Sequence, residues 1–345
     1  MILCVFLTFS TVNAADLNGS DFNSAVINSQ SESSFTNLNE DISNNIVKIS
    51  EDEDCVDSVN ELSNLNDDLN NDDLDSIEDI PSIQDNGFKS NLGSINSDEN
   101  SLKSTLSPSG NTFKSIQDSI ASAKSGDTID LKGKTYTGNG SVIVINKSIT
   151  ISGGQGAVKA TLDAKNLSGI IRVNGANVKI INCNFINSNF RSVFFANSNG
   201  SISNCNFMNN YAPTLSAHLH VGLNCSNFLV ENSNFINGSS REYSNVAVTA
   251  INSTVINCTF INNSVMNDYG VQVTGGGLQI GKSQNTTNLG SVINCIFINN
   301  SAISNSSTAH AGALCFRPGI KVFNTTFINN YCNNVGGATS LHADG

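Results

Sequence analysis

The 345-residue sequence predicts an all-β protein, a parallel β-helix preceded by one short capping helix. Three observations carry this. First, a phrase of the type INCIFINN occurs six times, centred on Phe185, Phe207, Phe235, Phe260, Phe297 and Phe327, at spacings of 22, 28, 25, 37 and 30 residues. Constant lettering at a loose period of roughly 20–40 residues marks a stacked repeat protein. Second, the lettering is positional. Five residues before each Phe stands an aliphatic (Ile180, Ile202, Val230, Val255, Val292, Val322), and three before stands Asn (Asn182, Asn204, Asn232, Asn257, Asn294, Asn324). Two before is a small residue, Cys in four copies, and two after is Asn again. Third, a second phrase interleaves with the first: GGGLQI at 275–280, AGALCF at 311–316 and GGATSL at 336–341.

Each letter has a physical reading. Alternate residues of a strand share a face, so Phe and the small residue two before it point the same way. Asn tolerates the left-handed backbone that a sharp bend requires. Stacked coils then put Phe on Phe and Asn on Asn, with amides bonding up the stack. These twelve Asn and Phe residues are structural ladders.

In chain order, residues 1–14 form an apolar run ending in a small-x-small pattern, Val12-Asn13-Ala14, which reads as a signal peptide too short to span a membrane. Residues 15–105 form an acidic Asn/Asp/Ser-rich spacer, expected to be disordered. Residues 16–105 carry 21 acidic and 3 basic side chains, whereas 106–345 carry 8 and 14. At Pro108 the composition changes. Asn111 or Thr112 caps a helix that presents Phe113, Ile116 and Ile120 on one face and ends at Lys124 and Gly126. Such a helix would cover the apolar end of the first coil. Strands follow through Ile129, Val142, Val144, Ile149, Ile151, Leu162, Ile171 and Val173, separated by Gly-rich turns. In the second phrase Leu219/Val221, Leu278/Ile280, Leu314/Phe316 and Thr339/Leu341 should point inward.

Phe-x-x-Asn (Phe207 to Asn210, Phe260 to Asn263, Phe297 to Asn300, Phe327 to Asn330) together with Gly-Gly-x-Leu is similar to the repeats of polymorphic outer-membrane adhesins. Residues 107–345 resemble the adhesin-like surface proteins of methanogenic archaea, and TFKSIQDSIASAKSGDTIDLKGKTYTG followed by INKSITISGG resembles their right-handed β-helix opening. The resemblance implies a right-handed parallel β-helix on an exported, cell-surface protein, usually without catalysis and usually longer, so a C-terminally truncated fragment is expected. The implied partners are cell-surface glycans or neighbouring cells.

The chemistry expected from the residues is sparse. Polysaccharide hydrolases need paired carboxylates on an outward face, yet between 176 and 345 the acids are Glu231, Glu242, Asp268 and Asp344. A non-catalytic binding stalk is therefore the leading expectation. A polysaccharide-active lyase, hydrolase or esterase is the alternative, and a structural envelope component the second. No cofactor is implied. A net +6 dispersed without a basic cluster argues against nucleic acid. His218 and His220, flanking inward Leu219, should both face solvent, as a binding pair or weak metal ligands. Arg191, Gln279, Cys315 and Arg317 should lie on the same outward strip, and Tyr269 in the 262–290 insertion, the preferred recognition loop. Cys183, Cys205, Cys258 and Cys295 should form a buried thiol ladder. Coils roughly 4.8 Å apart would also let Cys183 and Cys205 pair in an oxidising setting. Ladder asparagines in glycosylation sequons, such as Asn257, should be buried, leaving Asn285 and Asn305 open.

Overall fold

A computed structural model describes residues 103–268, 272–282, 288–305 and 308–341. The expected signal peptide, nearly all of the expected acidic spacer, Tyr269 and Asn285 lie outside the described residues. The described chain is a right-handed parallel β-helix. Every paired strand runs parallel to its neighbours, in three long sheets of nine, eight and eight strands with a smaller five-stranded sheet beside them. The first sheet runs from Thr105–Leu106 to Lys321–Phe323, the second from Thr135–Thr137 to Thr326–Ile328, and the third from Ile143–Ile145 to Thr339–Leu341.

The repeat lettering explains the coil. The aliphatic strand belongs to the first sheet and the Cys-x-Phe strand to the second. The six phenylalanines are in register. Their rings stack at 4.4–5.1 Å between centroids. Each such contact adds about 0.5–1.5 kcal/mol beyond the area it buries. Between the two strands Asn182, Asn204, Asn232, Asn257, Asn294 and Asn324 have φ of 41–57°, the left-handed bend anticipated. A second bend follows the Phe strand at Asn187, Asn209, Asn237, Asn262, Asn299 and Asn329, with φ of 50–55°.

Asparagine ladders result at several positions of the coil, and the two that flank the Phe strand's repeat letters differ in where they lie. Asn257 donates to Asn232, Asn294 to Asn257 and Asn324 to Asn294, at 3.1, 3.2 and 2.9 Å. These amides bond along the outside of the bend: Asn257 and Asn294 are exposed, which corrects the expectation that Asn257 is buried. The left-handed corner turns its side chain outward. The buried ladder is instead the last letter of Phe-x-x-Asn. Asn210, Asn263 and Asn300 are at most 1% exposed. Their Nδ2 atoms donate to the carbonyls of Phe185, Phe235 and Phe260 at 3.0, 2.9 and 3.0 Å.

At the N-terminal side, helix α1 (Phe113–Ser122) is held by a reciprocal cap between Thr112 and Ser115. It buries Phe113, Ile116 and Ile120 in the same core as the strands. Lys147 Nζ donates to the Ala123 carbonyl at 2.6 Å, matching a cation to the negative helix end. Leu219, Val221, Leu278, Ile280 and Leu314 point inward as expected. Thr339 and Leu341, with no described coil over them, are exposed.

Candidate functional site

The third sheet separates the residues expected on its outer strip. Strands Ile171–Asn174, Val193–Ala196 and Leu219–Val221 put Ile171/Val173, Val193/Phe195 and Leu219/Val221 inside. Alternation leaves Arg172, Phe194 and His220 outside, in register on three successive coils. Arg191, from the turn before its strand, lays its guanidinium carbon 4.1 Å from the Phe194 ring centre and 4.9 Å from that of Phe190. Arg172 sits 5.5 Å from the Phe194 ring centre. His220 meets that ring edge-on, with centroids 5.3 Å apart. One phenylalanine thus gathers two guanidiniums and an imidazole.

The electrostatics are one-sided. Among the described residues the ion pairs are Lys114–Asp118 and Lys165–Asp163, so neither arginine faces a carboxylate. Arg172 donates through Nε to Asn174 Oδ1 at 2.9 Å. Arg191 Nε is buried without a partner. Burial, then the Arg172 charge, lowers the Arg191 pKa. Burial, then the Arg191 charge, pushes His220 down to about 4, so its ring is neutral at pH 7. Its Nδ1 lies 3.4 Å from Ser216 Oγ. Stacking on a ring occupies the flat face of a guanidinium and leaves its N–H edge free to grip a carboxylate with two parallel bonds. Arg191 is half-buried and Arg172 exposed, an arrangement whose charge suits an anion.

His218 does not belong to this site, contrary to expectation. It is fully buried. Its Nδ1 lies 3.0 Å from Asn210 Nδ2 and its Nε2 3.0 Å from Asn263 Oδ1. Asn210 can only donate there, so the imidazole proton sits on Nε2. The reason lies in the ladder: the coil centred on Phe235 has Gly238 where its neighbours have Asn. His218 fills that gap, and a Cβ on Gly238 would come within 2.4 Å of its Nε2. With His218 inside and His220 outside, the two cannot chelate one metal ion. Among the described residues no three His, Cys, Asp or Glu side chains gather as a ligand set.

Gln279, Cys315 and Arg317 are likewise buried, at 5%, 1% and 8% exposure, not on an open strip. The outer side of the third sheet is covered there. Thr274, in the short strand Val273–Thr274, donates to Gln279 Oε1 at 2.8 Å. The described parts of the 262–290 segment contribute three short strands, of which Ser264–Asn267 pairs with Ser301–Ser304. Glu231 lies in a shallow groove on the first sheet with Lys179, Ser201 and Ser203. A single carboxylate there does not make the acid–base pair of glycoside hydrolysis. Of the expected residues the fold joins Arg191 and His220; Arg172 and Phe194 were missed. The signal for them was their in-phase position on the strands before His220.

No family model and no curated protein matches the chain. Among solved structures it is similar to an alginate lyase from Paenibacillus sp., at 12% identity and a TM-score of 0.39, over 67% of this chain and 99% of that one. It is also similar to a PL6 family alginate lyase, at 13% identity and 0.34, over 70% of this chain and 40% of that one. A third is the Streptococcus pneumoniae surface protein and adhesin PfbA, at 12% and 0.23, over 66% of this chain and 96% of that one. At these values the likeness is one of fold. The expectation of a stalk without catalysis is nonetheless corrected, because the first two of these structures are enzymes. Its physical basis was too narrow as well. Scarce carboxylates argue against acid–base hydrolysis, whereas eliminating a sugar beside its own carboxylate calls for cations and a base. No helix among the described residues is long and apolar enough to cross a membrane.

Proposed function

We propose that this chain is an exported, polysaccharide-active β-helix protein that acts on an anionic glycan, with Arg172, Arg191, Phe194 and His220 as its uronate site. The observation that carries this reading is the guanidinium pair on Phe194, which faces no carboxylate among the described residues. A uronate carboxylate held between Arg172 and Arg191 neutralises that repulsion. It also loses much of its own charge, which acidifies the adjacent C5–H bond. His220, neutral beside it, is the proton acceptor. As the C5–H bond breaks, its electrons form the C4–C5 double bond. The C4–O bond leaves with its pair, and the departing oxygen takes a proton from water. Binding the carboxylate also offsets the Arg191 field that depresses His220, raising its basicity when substrate is present.

The test is a paired measurement on the full chain: affinity for uronate polymers against a neutral glucan by calorimetry, and release of unsaturated ends by ultraviolet absorbance. Tight, salt-sensitive uronate binding with unsaturated product supports the reading. Equal affinity for the glucan, unchanged in Arg172→Ala and Arg191→Ala, overturns it.

A further inference from the structure

The inward column beside the phenylalanine stack reads Ala160, Cys183, Cys205, Ser233, Cys258, Cys295, Thr325. Ala160 and Cys183 are direct register partners. The later members follow because the residue after each is paired to its counterpart, Asn184 to Asn206, Asn206 to Asn234, Asn234 to Thr259, Thr259 to Ile296 and Ile296 to Thr326. Ser233 therefore splits four cysteines into two adjacent-coil pairs. All four are buried at 1% exposure or less, and all four are free thiols here. Their side chains share one orientation. Each Sγ lies 3.2–3.4 Å from the carbonyl two residues earlier, Ile181, Ser203, Ile256 and Ile293. Parallel neighbours in register stand roughly 4.8 Å apart, inside the Cα range of about 4.4–6.8 Å that a disulfide spans.

We propose that Cys183–Cys205 and Cys258–Cys295 are two oxidative modification sites, each closing to a cross-coil disulfide by exchange with a small-molecule or protein disulfide. In each closure one thiolate attacks the acceptor disulfide and releases a thiol. The second thiolate then displaces the other acceptor sulfur, forming the S–S bond. Each pair gives up two protons and two electrons, and the acceptor becomes two thiols. In the finished stack the thiols are sealed. Burial and the bond from its partner thiol push Cys258 well up, and the bond from Cys205, with burial, does the same to Cys183. Closure therefore belongs to folding. A solenoid adds coils one upon another, so each pair stays open until the coil carrying Ser233 or Thr325 docks over it. The first staple joins the coil bearing Arg172 to the coil bearing Phe194 and sets their spacing. Ser233 instead accepts the Cys205 N–H at 3.1 Å and ends the first pair.

The experiment refolds the full chain from denaturant in a glutathione–glutathione disulfide buffer, quenches with acid, alkylates in denaturant and maps peptides by mass spectrometry. The expected result is two cross-links, Cys183–Cys205 and Cys258–Cys295, with Cys225 and Cys315 alkylated. Cys205→Ser should remove the first link and Cys295→Ser the second, each leaving the other intact. Wild-type chain alone decides the matter if a variant fails to fold. Full alkylation of all four thiols, or Cys205–Cys258 links at comparable yield, overturns the proposal.

Discussion

His218 and His220 stand two residues apart, on either side of one inward leucine, yet the fold uses them in opposite ways. His218 is enclosed, both ring nitrogens are engaged, and burial pushes its pKa down to about 3. His220 lies on the outer face against an aromatic ring shared with two arginines. Inside the stack, polar groups are tolerated only with every bond satisfied, so His218 replaces a missing ladder amide. Outside, unsatisfied polarity can be left for a ligand. The same residue type is a strut in one place and part of an outer-face cluster in the other.

The comparison can be broken most forcefully at His218. His218→Ala should cost about 2–4 kcal/mol, through a cavity and two weakened ladder bonds. His220→Ala should change stability by no more than about 0.5 kcal/mol. Urea or thermal unfolding of both variants checks this. Because Gly238 is the gap that admits His218, the exchange His218→Gly with Gly238→Asn should recover part of the loss, and Gly238→Asn alone should destabilise.

The next largest effect concerns pH. Both histidines have folded pKa values below their unfolded value, so their contributions are fully present above pH 6.5 and fall as the unfolded chain takes up protons. His218 contributes a slope of about 1.4 kcal/mol per pH unit from pH 6.5 down toward pH 3. His220 acts in the same direction down to about pH 4. Denaturation midpoints at a series of pH values should flatten in a His218→Asn variant.

At the outer cluster, Arg191→Ala should weaken uronate-polymer binding at least about tenfold, equivalent to roughly 1.4 kcal/mol. Arg191→Lys should recover only part of this, because an ammonium cannot offer two parallel bonds. His220→Gln should leave affinity within about threefold while removing product formation, which separates binding from proton transfer. The smallest contrast lies between the ladders. Asn263→Ala, inside, should cost about 2–3 kcal/mol, whereas Asn257→Ala, outside, should cost less than about 1 kcal/mol.

Much of the stack was legible without coordinates. Phe185 and its five counterparts, the left-handed Asn corners and the inward Cys–Phe alternation all follow from lettering that recurs at one place in each coil. The candidate site was legible only in part. Arg191 and His220 could be picked out as polar letters near a strand, but Arg172 and Phe194 sit in two different coils, 22 residues apart in sequence. They become neighbours through register. Gln279 and Arg317 have the same outward phase as His220 and were read the same way, yet both are buried, Gln279 beneath the short strand carrying Thr274. Alternation tells which side of a strand a residue is on, and nothing about what lies over that side.

The sequence by itself therefore determined the repeating part: parallel coils, their bends and their core. Each position there meets its own kind above and below, so local lettering and neighbour contact are the same information. Tertiary structure alone decided the departures from repetition. Gly238 makes room for His218 from a segment 20 residues earlier, and Phe194 gathers Arg191 from its own coil with Arg172 and His220 from the coils on either side. Those contacts depend on which unlike residues register brings together, and a period cannot encode a difference between its own copies.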